Sequence, residues 1–444
     1  MSEQPQFTIS IDQNKFLPEG GREVHAIVSV EATAAEGAPV PSSTRASEVI
    51  IIDTSGSMSY PETKLRAAVA AAQVAIDTLR DGVEFAVISG SNIASMVYPR
   101  QPGLVAATPE SRQEAKQALA RLKASGGTAI GSWLRLADQL FDDVQGGIRH
   151  AILLTDGKNQ HETAEELDAV LFRCGGRFVC DCRGVGTDWE VAELRKVASA
   201  LLGSVGIVAD PAGLVADFRA MTEAAMGKSV ADVGLRVWTP QTASLRFVKQ
   251  VTPSVEDLTG KRVESAPQAG DYPLGAWGAE SRDYHICVSV PPGEVGKELR
   301  AAWVKLVVPG GPGEEARVVA SANVLAQWTD DEAESTRINP RVAHYTGQAE
   351  LASAIQQGLQ ARKDGDLDTA TARLGRAVVL ADEAGNDAIT AMLRKVVDVV
   401  DPATGTVRLK RNVDKADEME LDTRSSKTIR TRKDETVTTR RGEG

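Results

Sequence analysis

This chain is poor in the residues that mark several specialised protein classes. Aromatic residues make up 4% of its 444 positions, too few to furnish a base-stacking surface. Its four cysteines, Cys174, Cys180, Cys182 and Cys287, are too few and too unevenly placed for a disulfide framework in a chain of this size. Buried, reduced thiols are therefore expected. Cys180 and Cys182 would share one face of a strand, and a zinc site using Cys174, Cys180, Cys182 and a histidine is an alternative, although the spacing matches no standard zinc pattern. The five histidines, His25, His150, His161, His285 and His344, are scattered, so structural or surface roles are their default. No run of 18 apolar residues occurs, which argues against membrane insertion. The opening Met1-Ser2-Glu3-Gln4-Pro5-Gln6 has neither a basic start nor an apolar core of a signal peptide, and a cytoplasmic location is the expectation. Lysine plus arginine total 50 against 61 acidic residues, a formal charge of -11, which disfavours a nucleic-acid partner.

What is present is most concentrated at Ile50-Ile51-Ile52-Asp53-Thr54-Ser55-Gly56-Ser57. An apolar run that stops at Asp-x-Ser-x-Ser puts one carboxylate, Asp53, and two hydroxyls, Ser55 and Ser57, on a single turn. That is half of a cradle for a divalent cation. Two later segments can supply the rest. In Ser125-Gly126-Gly127-Thr128-Ala129-Ile130, paired glycines allow a tight loop that delivers the Thr128 hydroxyl at the start of a helical pattern. In Ala151-Ile152-Leu153-Leu154-Thr155-Asp156-Gly157, a second apolar run ends at Asp156. Apolar runs without alternation suit strands of a parallel sheet buried on both faces, and ligands of such sheets gather beyond the carboxyl ends of the strands. Oxygen donors without Cys or His favour a hard cation, Mg²⁺ before Ca²⁺. Taken alone, the Asp-Thr-Ser-Gly turn also reads as an ordinary strand end, because its residues are common turn formers.

These residues resemble the von Willebrand factor type A domain and its metal-ion-dependent adhesion site, in the form found in bacterial cytoplasmic proteins. Asp53, Ser55 and Ser57 stand for the family's Asp-x-Ser-x-Ser, Thr128 for its loop threonine and Asp156 for its Thr-Asp-Gly aspartate. The resemblance implies that the serines and threonine touch the metal, that the aspartates act through water, and that one position is left for a partner's carboxylate. It implies Mg²⁺, with Mn²⁺ or Ca²⁺ as alternatives, and a protein-binding scaffold or adaptor rather than a catalyst. Gly56, Met58, Ser59, Tyr60, Lys158 and Asn159 are expected at the lip of the site, as contacts for a partner presenting Asp or Glu.

The expected fold class is α/β. A Rossmann-like doubly wound domain over residues 46–228 alternates strand runs and helical patterns. An antiparallel β-sandwich over residues 229–330 is expected from alternation such as Val233, Leu235, Val237 and from Pro-Gly clusters. Residues 1–45 alternate likewise and should join that sandwich, leaving the α/β domain as an insertion. Helices follow over residues 339–402: Glu350 to Lys363 and Leu367 to Glu383 as a hairpin resembling one tetratricopeptide unit or part of a plain bundle, then Asp387 to Val400. Residues 403–444 are expected to be a flexible Thr/Arg-rich tail. From Asp422 to Gly444 there are seven basic residues, four acidic residues and six threonines, a composition that buries no core. Thr423, Thr428, Thr431, Thr436, Thr438 and Thr439 are candidate phosphorylation sites, which gives a second functional reading: a signalling adaptor for a Ser/Thr kinase or a forkhead-associated domain. A third is an adaptor of a MoxR or chelatase-type ATPase. Enzymatic readings fare worse. Ser55 occupies the place where an aspartic protease needs Gly and a haloacid-type phosphatase needs Asp, and no nucleophile elbow, P-loop or His-Glu-x-x-His motif occurs.

Overall fold

The computed structural model describes residues 5–33, 45–144, 146–310 and 315–430. Strands β1 (Gln6–Gln13), β2 (Phe16–Pro18) and β3 (Glu23–Thr33) open the chain. Among them only β1 and β3 pair, and a two-stranded hairpin has too little apolar surface to stand alone in water. They are completed by strands from much later in the chain.

The next segment builds the α/β domain: β4 (Ala46–Asp53), α1 (Thr63–Thr78), β5 (Glu84–Gly90), β6 (Ala94–Tyr98), β7 (Val105–Ala106), α2 (Pro109–Leu119), α3 (Ile130–Phe141), β8 (Ile148–Thr155), α4 (Ala164–Cys174), β9 (Val179–Val185), α5 (Val191–Ala200), β10 (Val205–Val208) and α6 (Leu214–Met226). The sheet runs β10-β9-β8-β4-β5-β6, with β7 also on β5; β6 and β7 are antiparallel and the rest parallel. Every residue of β4 is buried, because helices cover both faces. Val49 and Ile51 pack with α3, α4 and α5, while Ile50 and Ile52 pack with α1, α2 and α6. Two-sided burial explains the unbroken apolar run. The sequence reading missed β6 and β7, whose half-exposed residues carry neither such a run nor a clean alternation.

Strands β11 (Val230–Trp238), β12 (Ser244–Thr252), β13 (Glu256–Asp257), β14 (Val263–Ala266), β15 (Ala269–Trp277), β16 (Glu280–Ser289), β17 (Glu298–Val308) and β18 (Arg317–Thr329) form two further sheets. Their orders are β1-β3-β16-β12-β13 and β14-β15-β11-β17-β18-β2. Val28, Tyr284 and Ile286 of one and Leu235, Trp277, Val304 and Trp328 of the other share one core. Thus β1 to β3 belong to the sandwich, and the α/β domain is inserted between β3 and β11.

The remaining elements are α7 (Glu332–Ser335), α8 (Pro340–Lys363), α9 (Leu367–Glu383), α10 (Asp387–Val396), β19 (Val397–Asp401), β20 (Thr406–Leu409) and α11 (Lys415–Ser425). Three expectations need correction. Helix α8 begins ten residues before Glu350, at Pro340, where the Asn339 side chain accepts from the Arg341 and Val342 N–H groups. Helix α10 stops at Val396 rather than Val400, because the β-branched residues that follow form a hairpin. And the segment from residue 403 is ordered well beyond its expected start. Val407 and Leu421 are buried in the helical core and Met419 in that of the α/β domain, so α11 fastens one domain to the other; Arg195 holds it at Asp422, 2.7 Å away. Averaging composition over a polar terminus hid those few apolar anchors. Among the described residues no helix is long and apolar enough to cross a membrane.

Candidate metal centre

The parallel strands end on one edge, where the chain leaves the sheet through polar residues. At the end of β4, Asp53 accepts from the Ser55 N–H on Oδ1 at 2.7 Å and from the Thr155 hydroxyl on Oδ2 at 2.5 Å. The first of these is an Asx-type turn, and it sets the serine side chains. Ser55 Oγ and Ser57 Oγ are 3.0 Å apart, and Ser57 donates to Asp156 Oδ1 at 2.6 Å. Thr128 reaches the same place. A Cβ on Gly157 would lie 3.2 Å from Thr128 Oγ1 and 3.4 Å from Ser57 Oγ, so glycine there keeps the space beside both hydroxyls clear. Asp53, Ser55, Ser57, Thr128 and Asp156, spread over a hundred residues of sequence, thus share one edge of the sheet.

The Thr128 loop is fixed by donors that a helix start leaves over. Gly126 adopts φ of 81°, a conformation glycine reaches without strain. The first N–H groups of α3 have no intrahelical acceptor; the Ile130 N–H donates instead to Asn159 Oδ1 at 3.1 Å and the Gly131 N–H to Glu162 Oε1 at 2.5 Å. The Thr128 N–H donates to His161 Nδ1 at 3.3 Å. The segment after Asp156 therefore clamps the threonine loop. Glu162 and His161 were not foreseen as part of this arrangement.

The charges are unequally compensated. Burial raises Asp53 to about 6, against the pull of its hydrogen bonds from Ser55 and Thr155. Asp156 has a cation instead: Lys64 Nζ lies 2.8 Å from its Oδ2 and 3.5 Å from exposed Asp188. Burial opposes the charge on Lys64, but these two carboxylates outweigh it and raise the ammonium. Lys64 was missed in the sequence, yet a signal was there. It stands in the first turn of α1, where the helix dipole disfavours a cation, so a local anion was needed to hold it.

A structure of a von Willebrand factor type A protein from Catenulispora acidiphila is 55% identical to this chain, superposes with a TM-score of 0.92, and is covered over 98% of its length by 97% of this chain. This chain belongs to the von Willebrand factor type A family. The profile described as von Willebrand factor type A domain matches residues 48–206, and that described as von Willebrand factor type A C-terminal domain matches residues 379–425. The ArnB paralog VWA2 from Sulfolobus acidocaldarius shares the fold at 16% identity, with a TM-score of 0.62 and coverage of 95% of this chain and 98% of that one. An uncharacterized protein of Synechocystis sp. is 28% identical over 215 residues, 47% of this chain. The chain spans about half the length, 49%, of that curated relative.

Von Willebrand A domains commonly mediate metal-dependent protein interaction, and the donor set here can be tested against that chemistry. The cluster offers oxygen alone, as a hard cation requires. Adjacent ligands of an octahedral Mg²⁺ at 2.0–2.1 Å stand about 2.9 Å apart, close to the 3.0 Å between Ser55 Oγ and Ser57 Oγ. The residues present fit the ion.

The expected lip divides. Gly56, Ser59 and Tyr60 are exposed, Tyr60 at 85%. Met58 is fully buried in the core beside α1, so it anchors the loop and is no contact residue; its position between polar neighbours hid this. Asn159 is committed to α3 and Glu162, and exposed Lys158 forms an ion pair with Glu190. Two tail threonines are also corrected. Thr423 is buried in α11, donating to the Met419 carbonyl at 2.9 Å, and Thr428 is half-buried, donating to the Val251 carbonyl at 2.5 Å. Neither hydroxyl is free for a kinase. Thr431, Thr436, Thr438 and Thr439 lie outside the described residues.

Proposed function

We propose that this protein is a non-enzymatic scaffold whose Asp53, Ser55, Ser57, Thr128 and Asp156 hold Mg²⁺ and present it to an Asp or Glu side chain of a protein partner. One observation carries the reading: an oxygen-only cluster whose deepest carboxylates are buried while Ser57 and Gly56 at its mouth are exposed. Bound Mg²⁺ and Lys64 together carry three positive charges against the two negative charges of Asp53 and Asp156, and Ser55, Ser57 and Thr128 contribute none, so a net positive charge remains. An incoming carboxylate is the complementary group. Tyr60 and Ser59 on the first loop would form the rim around it.

The experiment is titration calorimetry with Mg²⁺ on the wild type and on a folded Ser55→Ala/Ser57→Ala variant, followed by partner capture with Mg²⁺, with EDTA, and with the variant. Saturable Mg²⁺ binding and a partner captured only with metal and both serines support the proposal. Equal capture in all three arms, or Mg²⁺ binding that survives loss of both hydroxyls, overturns it.

A further inference from the structure

Two histidines, one cysteine and one glutamate lie together on two neighbouring strands of the sandwich, away from the metal edge. In the β3–β16 ladder, Cys287 is the direct partner of His25 and Ser289 that of Glu23. Residues two apart on a strand share a face, so Glu23 and His25 of β3 and His285 and Cys287 of β16 form one patch. Ligand atoms of Glu23, His25 and Cys287 all lie within 4.8 Å of one another. His25 Nε2 is 3.7 Å from Cys287 Sγ, and its other nitrogen, Nδ1, is 3.1 Å from His285 Nε2.

We propose that Glu23, His25 and Cys287 form a binding site for a thiophilic divalent cation of the Zn²⁺ class, separate from the oxygen cluster at Asp53 and Asp156, with His285 as the residue that positions the His25 ring.

The distances favour this assignment. With Zn–S near 2.3 Å and Zn–N near 2.0–2.1 Å, a tetrahedral angle separates the sulfur from the nitrogen by about 3.6 Å. The observed 3.7 Å already has that span. The remaining ring nitrogen of a metal-bound histidine is normally held by an outer partner, which fixes the tautomer and the ring; His285 stands in that place. It is itself held edge-on against Phe247, with ring centroids 4.9 Å apart. The patch is also graded in depth. Cys287 and His285 are buried, His25 is half-buried and Glu23 is exposed, so a cation can enter past the carboxylate and finish against the sulfur. Three protein ligands leave the fourth position to water or to a partner's side chain.

Capture involves one proton. The Cys287 S–H bond breaks as the metal–sulfur bond forms, and the proton passes to solvent. No oxidant or reductant is needed. The chemistry differs from that of the adhesion-type cluster in ligand softness: thiolate and imidazole select Zn²⁺ and its neighbours, whereas hydroxyl and carboxylate select Mg²⁺.

Co²⁺ titration of the full chain, read by absorbance, separates the two sites, since only a thiolate ligand gives a sulfur-to-cobalt charge-transfer band. The expected result is a band that saturates at one equivalent, bleaches on adding Zn²⁺, persists in Ser55→Ala/Ser57→Ala and disappears in Cys287→Ser. The exposed Glu23→Gln change tests the site without disturbing the core, and should keep the band while weakening Co²⁺ affinity about tenfold or more. Absence of a band in the wild type, a band that survives in folded Cys287→Ser, or unchanged affinity in Glu23→Gln overturns the proposal and leaves a cysteine–histidine hydrogen bond.

Discussion

The two ends of the parallel sheet both collect carboxylates, and they treat them differently. At the far end, Glu48 of β4 and Asp181 of β9 flank His150 of β8. His150 Nδ1 is 2.9 Å from both Glu48 oxygens and Nε2 is 3.1 Å from Asp181 Oδ2, so one imidazole bridges both acids. At the metal end, Lys64 touches Asp156 but not Asp53, which receives only hydroxyl and N–H donors. The far end is closed by its own side chains. The metal end stays open, with uncharged hydroxyl oxygens facing the gap and Ser57 exposed. A buried acid cluster becomes a binding site where the cation that completes it must come from outside.

The largest expected effect lies at the closed end. Burial alone would lower His150, but Glu48 and Asp181 overcome it and raise the imidazole to about 10. Its folded-state value therefore lies above its unfolded one, so the stability it contributes is fully present below pH 6.5 and is lost as pH rises through about 10. Replacing it, His150→Ala, leaves Glu48 buried without a counter-charge and should cost about 3–5 kcal/mol. Urea unfolding at pH 7 measures the loss, and the variant should show a flatter stability profile between pH 6.5 and 10. A loss below about 1 kcal/mol would mean that the closed end is not closed by His150.

The open end should respond in two directions. Lys64→Met removes the one internal cation at Asp156, so the metal-free protein should lose about 1–3 kcal/mol through an unpaired buried carboxylate. Mg²⁺ should then bind about tenfold tighter or more, because a like charge next to the ion is gone. Calorimetry and thermal melts with and without Mg²⁺ measure both. Weaker Mg²⁺ binding in Lys64→Met would instead make the lysine an organiser of the site, and the contrast between the two ends would lose its electrostatic basis.

How much of this was legible in the sequence follows from the range of the interactions. The strands at Ile50 and Ala151 are buried on both faces, so their character is written in consecutive residues, and the turn Asp53-Thr54-Ser55 is a local hydrogen bond. Thr128 and Asp156 were candidates because one follows paired glycines at a helix start and the other ends an apolar run at the same edge of a parallel sheet, and the resemblance then tied both to Asp53. His150 looked like any scattered histidine. Its partners Glu48 and Asp181 are assigned by strand order alone, as are the neighbours His25 and Cys287, which lie 262 residues apart in the chain. The ordered residues around Met419 and Leu421 were lost for a different reason: two or three buried side chains anchor a helix that is otherwise polar, and composition averages them away.

The smallest effect is expected where the helical domain meets the rim of the metal end. Glu190, just before α5, pairs with Lys158 from the loop after Asp156 and with Lys363 at the end of α8, the latter at 2.9 Å. Lys363 is 64% exposed, so solvent and salt screen its bridge, and Lys158 keeps Glu190 paired when it is removed. Lys363→Ala should therefore change stability by less than about 1 kcal/mol and leave Mg²⁺ affinity within about twofold, since the ion pair touches none of the five oxygen donors. Melts at low and high salt, together with Mg²⁺ calorimetry, decide it. A shift of Mg²⁺ affinity of about tenfold would mean that the helical domain biases the open end through Glu190 and Lys158, and the metal edge would have to be treated as one element of a coupled, two-domain device.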